Sequence, residues 1–281
     1  MNQYETRMGQ HSSTPTLTFR IVHQKQEAQA LLDAAEQKDF YLEECRDDEA
    51  NALARRGMVY SANSITAYEY KWFELVVENA KGRIPPRLQH ELSTVYLIPL
   101  MPSAEGGMPH TRPHHLICYP DIRNFFSVST LIHELWHLHQ RHYAAEWTLV
   151  FQSLGWEPWP HLLPSTLEAH RRINPDTLDT PLWCFQKTWV PVPIFREVAS
   201  PDIREVDVWF YHVSLKYHVK KVPRELSVLF LDLPHSAYEH PREWSAYLLS
   251  DPDKYGANPV FHSLVKALGA LALPVDSPHP Q

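Results

Sequence analysis

His133, Glu134 and His137 stand in the stretch STLIHELWHLHQRHYAAE as the pattern H-E-x-x-H. On an α-helix each residue advances by about 100°, so the two histidines lie about 40° apart and Glu134 falls within about 100° of both. Two imidazoles and a carboxylate on one face suit a zinc ion. The neutral ring nitrogens bind the metal, and the neighbouring carboxylate is free to reach its water as a general base. Leu131, Ile132, Leu135 and Leu138 give the same helix an apolar back, as a helix buried under a cleft needs. The plain alternative is a structural histidine pair, for which unpaired polar groups on a buried face would cost a few kcal/mol of desolvation.

Three further donors follow closely. On a straight helix His139, His142 and Glu146 sit about 240°, 180° and 220° around from His133, on the far side from the metal. They are expected to serve structure. Any third ligand must therefore come from elsewhere in the chain.

The elements that hold this helix are readable in outline. A polar tail runs to residue 22 and is expected to be flexible, followed by a single domain over 23–281. Strong helix formers fill the stretch up to Gly57, and SITAYEYKWFELVVENAKG continues at helical spacing to Gly82, which makes an all-helical first third. STVYLIPLMP and HHLICYPD read as strands joined by SAEGGMPHTRP, which holds the only Gly pair in the chain. SVSTLIHELWHLHQRHYAAEWTLVFQSLG reads as one helix ended by Gly155. This completes an upper lobe, 23–160, that carries the H-E-x-x-H helix. In the lower lobe, 161–281, STLEAHRRIN is a short helix, PLWCFQKTWVPVPIF and EVDVWFYHV are extended, HPREWSAYLLS is a helix opened by Pro241, and PVFHSLVKALGALAL is a terminal amphipathic helix.

Composition narrows the function classes. A chain of 281 residues, 44% hydrophobic and 21% charged, is an ordinary globular protein. A net charge of -7 with the two signs intermixed argues against nucleic acid as a partner. Cys45, Cys118 and Cys184 form no CxxC pair and read as buried or free thiols. No secretory h-region and no apolar run of about 18 residues is present, so the expectation is a cytoplasmic protein with no membrane partner. With 8 Gly against 24 Pro, no phosphate-cradling glycine loop exists.

The frame TLIHELWHLH resembles the active-site helix of the zincin metallopeptidases, departing from it only where His139 replaces an apolar residue. The resemblance implies an α+β, two-lobed fold, mostly helical with a small mixed sheet beside the H-E-x-x-H helix. It also implies a bound Zn2+, an active-site cleft, a peptide or protein substrate, and hydrolysis with Glu134 as general base. The metzincin extension would require Gly at 140 and His at 143, where this chain has Gln140 and Tyr143. Cys118 lacks the E-G-C context of a deformylase ligand.

What remains is the gluzincin arrangement, in which a Glu of a later helix completes the site. Glu243 is the expected ligand, because Ala246 one turn on lets its helix approach the active-site helix closely. Glu168 is the alternative, although S-x-x-E from Ser165 also reads as a capping box with a supporting pair to Arg172. Glu157 and Glu225 are weaker candidates. A donor for the developing oxyanion is expected from Tyr247, with Tyr238 and His235 open. HHLICYP or YLIPLMP is expected to offer a sheet edge to the substrate, and the tryptophans at 147, 156, 159, 183 and 189 either line an apolar subsite or fill the core. Two other classes remain: a zincin-fold binding protein without turnover, and a zinc hydrolase of a non-peptide amide.

Overall fold

The computed structural model describes residues 17–270, a mixed α+β chain. Chain order is β1 (Thr18–Ile21), α1 (Lys25–Asp39), α2 (Tyr41–Asp47), α3 (Glu49–Ala54), α4 (Ala67–Ala80), α5 (Pro86–Glu91), β2 (Thr94–Pro99), β3 (His110–Arg112), β4 (Leu116–Tyr119), α6 (Ile122–Phe125) and α7 (Val128–His142). The second half continues with α8 (Ala144–Ser153), β5 (Trp156–Pro158), α9 (Ser165–Glu168), β6 (Trp183–Phe185), β7 (Trp189–Phe195), β8 (Val206–His212), β9 (Tyr217–Val219), α10 (Arg224–Ser227), α11 (Pro241–Ser250), α12 (Pro252–Tyr255) and α13 (Phe261–Ala270).

The first sheet has the order β1-β2-β4-β3, parallel except for β3, which runs antiparallel to β4. It packs beside α7. Its strand β1 corrects the sequence reading of a tail to residue 22 and of an all-helical first third. Thr18 and Arg20 face outward while Phe19 and Ile21 pack on the core, and the strand pairs with β2 from Thr18↔Thr94 to Ile21↔Leu97. Residues 1–16 of the expected tail lie outside the described part. A second sheet, β5-β6-β7-β8-β9, is antiparallel throughout and belongs to the second half of the chain. Among the described residues no helix is long and apolar enough to cross a membrane.

The single helix expected from 127 to 155 is two helices. Tyr143, with φ -109° and ψ 46°, closes α7 and opens α8. The short helix expected over STLEAHRRIN spans only Ser165–Glu168. The expected capping box is not formed: Pro164 precedes the helix, Glu168 pairs with Arg171, and Arg172 pairs with Glu239.

One core holds α7 in place. Leu131, Ile132, Leu135 and Leu138 are buried with Phe73 of α4, Tyr119 of β4, Trp147 of α8 and Trp244 of α11. Each fully buried leucine contributes about 1.5–3 kcal/mol. Trp147, Trp156, Trp183 and Trp189 are buried in this same core, and Trp159 packs on a second cluster, so none of the five forms a subsite. Cys45, Cys118 and Cys184 are buried free thiols.

Strand β3 is anchored from behind by Arg112. This fully buried guanidinium bonds Asp39 at 2.6 and 2.8 Å and Glu36 at 2.7 Å, tying the strand to α1. The turn before β3 needs its glycine. Gly106 has φ +62°, and a Cβ there would lie 2.6 Å from side-chain atoms of Ile203 and Arg204.

Candidate metal centre

Helix α7 begins at Ser127, whose hydroxyl accepts from the Thr130 N–H at 3.1 Å, and its apolar stripe turns His133, Glu134 and His137 toward one cleft. Helix α11 begins at His240, whose Nδ1 accepts from the Arg242 N–H at 3.0 Å. Pro241 takes the first helical position, where no N–H is needed, and Glu243 falls in the first turn. Ala246 is fully buried, and α11 lies packed on α7.

These two helices bring three donors together. Nε2 of His133 and Nε2 of His137 are 2.9 Å apart, and Oε2 of Glu243 lies 3.6 Å and 3.5 Å from them. Among the described residues this is the only group of three or more His, Cys, Asp or Glu side chains placed to hold a metal. Separations of 2.9, 3.5 and 3.6 Å are short enough for all three atoms to bind one zinc ion at its usual 2.0–2.1 Å. The donor set of two imidazoles and a carboxylate fits zinc equally well in its chemistry.

The surrounding charges ask for a cation. Glu134 and Glu243 are buried, and neither has a Lys or Arg within ion-pair distance among the described residues. Burial opposes charge on His137, yet Glu243, Asp176 and Glu134 outweigh it and hold the imidazole up at about 10. Burial also opposes ionisation of Glu243, but His137 and His133 prevail and keep its carboxyl well below the usual range. Glu134 is pushed well above the usual range by burial and then by the Asp176 charge, and its Oε2 has no hydrogen-bond partner.

Outer groups fix the ligands. Gln140, fully buried one turn beyond His137, accepts from His137 Nδ1 at 2.9 Å, which leaves Nε2 for the metal. Its amide nitrogen donates to Arg242 O at 3.1 Å and Ser245 Oγ at 3.0 Å, so one side chain orients a ligand and clamps α7 to α11. Asn174 donates to Glu243 Oε1 at 3.0 Å and to Glu239 Oε1 at 2.6 Å, turning the other Glu243 oxygen toward the histidines. Glu239 is held in turn by Arg172 at 2.6 and 2.8 Å. His133 Nδ1 has no such partner among the described residues. Gln140→Ala is expected to lower zinc affinity by about 10- to 100-fold with the fold retained, as measured by competition with a chromogenic chelator.

The other donors are accounted for. His139 is buried on the far side of α7, where Nε2 meets Glu91 at 2.5 Å and Nδ1 accepts from Trp147 Nε1 at 2.8 Å. His139→Ala leaves the buried Trp147 N–H without an acceptor and Glu91 with Arg87 alone, and is expected to cost about 2–4 kcal/mol in chemical unfolding while keeping the zinc. His142 is exposed and rests edge-on against His115, and Glu146 takes no part in the cluster. Glu168, Glu157 and Glu225 are likewise outside it, as is Cys118.

The cleft, about 480 Å³, is lined by Tyr247 as well as by the ligands. The Tyr247 ring stands 4.5 Å from that of His133, its hydroxyl is 3.3 Å from Ser236 Oγ, and burial pushes its pKa up to about 12. Tyr238 and His235 do not line the cleft. The Tyr238 ring stacks on Phe230 at 4.3 Å, and its hydroxyl bonds backbone carbonyls. The sheet edge differs from expectation. HHLICYP and YLIPLMP form interior strands β4 and β2, and the edge beside the cleft is β3.

No family model, curated protein or solved structure matches the chain.

Proposed function

We propose that the chain is a zinc-dependent hydrolase of peptide bonds with a gluzincin-like site and a zincin-like arrangement of helix, sheet and cleft. The observation that carries this reading is the convergence of His133 Nε2, His137 Nε2 and Glu243 Oε2 at the wall of one cleft, close enough together to hold a single zinc ion. A mixed sheet with an antiparallel edge strand beside α7 supports the fold assignment.

When bound, zinc supplies a Lewis acid for the scissile carbonyl and lowers the pKa of the attacking water toward neutrality. Glu134, one position from His133 and with Oε2 free, takes the proton from that water as its oxygen adds to the carbonyl carbon. The same proton passes from Glu134 to the leaving nitrogen as the C–N bond breaks, so one water is consumed and a carboxylate and an amine are released. Tyr247, beside His133 and reaching the cleft, is the side chain placed to donate to the developing oxyanion. An intact Glu134 argues against a binding protein without turnover, which has no need of a base.

The test is hydrolysis of a mixed peptide library. Turnover is expected that stops on chelation and returns with about one equivalent of zinc. Turnover indifferent to chelator contradicts the metal's role, and tight zinc binding without any turnover favours the binding-protein class.

A further inference from the structure

The edge of β3 is closed to an incoming strand. Thr111 is the residue whose backbone groups point away from β4, and both are already engaged: its N–H donates to Asp176 Oδ1 at 2.7 Å, and its carbonyl accepts from Arg141 Nη2 at 3.3 Å. The next outward positions on either side, Pro109 and Pro113, have no N–H to offer. An extended chain cannot continue along this edge by main-chain pairing. What closes it is the turn Pro175–Thr177, which packs on β3.

That turn presents a carboxylate to the cleft. Asp176 is 7% exposed, lines the cleft beside the candidate metal ligands, and is close enough to perturb His133, Glu134 and His137. Oδ1 is fixed by the N–H and the hydroxyl of Thr111, the latter at 2.5 Å, whereas Oδ2 has no hydrogen-bond partner among the described residues. No nearby guanidinium hydrogen-bonds the Asp176 carboxylate, although Arg141 is close enough to feel its charge. Arg242 bonds Asp179 at 2.5 and 2.7 Å, Arg172 holds Glu239, and Arg141 serves the carbonyls of Thr111 and Pro175. The other buried carboxylates of the lining are satisfied: Glu105 by Arg55 and Glu239 by Arg172, while Glu134 and Glu243 face the metal position. Asp176 is left as a nearly buried, fixed carboxylate with one oxygen free of hydrogen bonds and no direct ion pair, a group suited to a cationic substrate atom.

We propose that Asp176 binds the free α-ammonium of a peptide, so that the substrate chain starts at the closed edge and the enzyme removes its N-terminal residue. This rests on the hydrolytic reading above. A peptide anchored in this way cannot run past Asp176, and the scissile carbonyl is that of its first residue. Each turnover consumes one water and releases one free amino acid and a peptide shortened by one.

The test uses zinc-loaded protein carrying Glu134→Gln, so that binding is read without turnover. A mixed tripeptide library, half of it N-acetylated, is equilibrated by dialysis, and the retained peptides are identified by mass spectrometry. Free-amino peptides are expected to be retained at least about tenfold over their acetylated forms, and adding Asp176→Asn, which keeps Oδ1 for Thr111, is expected to remove that preference. Equal retention of both forms, or retention of neither, overturns the inference. The zinc content of the same sample and hydrolysis of N-acetylated peptides by the unmodified enzyme separate the two readings. Zinc-dependent cleavage of acetylated peptides as fast as free ones sinks the anchor and leaves the hydrolase standing, whereas protein that takes up no zinc sinks both.

Discussion

Glu134→Gln is expected to retain about one zinc per chain and to lose roughly a thousandfold in turnover, the middle of the range for removal of a general base. The two halves of this result have separate causes. Metal retention follows because Glu134 is not one of the three donors that converge, and because the ligands are oriented by Gln140 and Asn174 rather than by the base. Loss of turnover follows because the amide offers no lone pair of comparable basicity where the water's proton must go. The fold should tolerate the exchange well. Oε2 makes no hydrogen bond, and replacing a buried carboxylate by a neutral isostere relieves repulsion from Asp176 and Glu243. Zinc content by elemental analysis, with steady-state rates on the best peptide found, checks both halves. Turnover near that of the parent would place the base elsewhere.

The second large effect is expected at Glu243. Removing it as Glu243→Ala deletes the only charged ligand and leaves two imidazoles, so zinc affinity should fall well beyond the 10- to 100-fold that loss of an outer partner costs. The damage extends outward as well, because Asn174 then loses one of its two acceptors. Glu168→Ala is the control. Glu168 is 37% exposed and pairs only with its neighbour Arg171, so the change is expected to keep the zinc and to cost no more than about 0.5 kcal/mol. Zinc titration and thermal unfolding of the two variants, run side by side, give opposite patterns.

What was legible in the chain was what depends on near neighbours. His133 and His137 share a face because of helical geometry alone, and the same argument turns His139 and His142 away. Glu243 was legible for a related reason: Pro241 opens its helix, and Ala246 one turn later allows close approach. Other features depend on residues far apart in sequence. Gln140 is in plain view beside His137, but its role rests on Arg242 and Ser245, about a hundred positions away. Asn174 and Asp176 carry no local signal, because the turn that bears them gains its meaning only by packing on β3. Strand β1 did leave a trace, the alternation of Leu17, Phe19 and Ile21 with Thr18 and Arg20, but five residues of period two beside a polar tail are a weak signal. Its parallel pairing with β2, some seventy-six positions away, is non-local.

The most direct measurement of the central claim is an anomalous difference map at the zinc absorption edge from crystals of protein purified without added metal. The account predicts a single strong peak within about 2.0–2.2 Å of His133 Nε2, His137 Nε2 and a Glu243 carboxylate oxygen, with its fourth side open to the cleft. A map with no peak there, from protein that also fails to take up zinc on soaking, contradicts it.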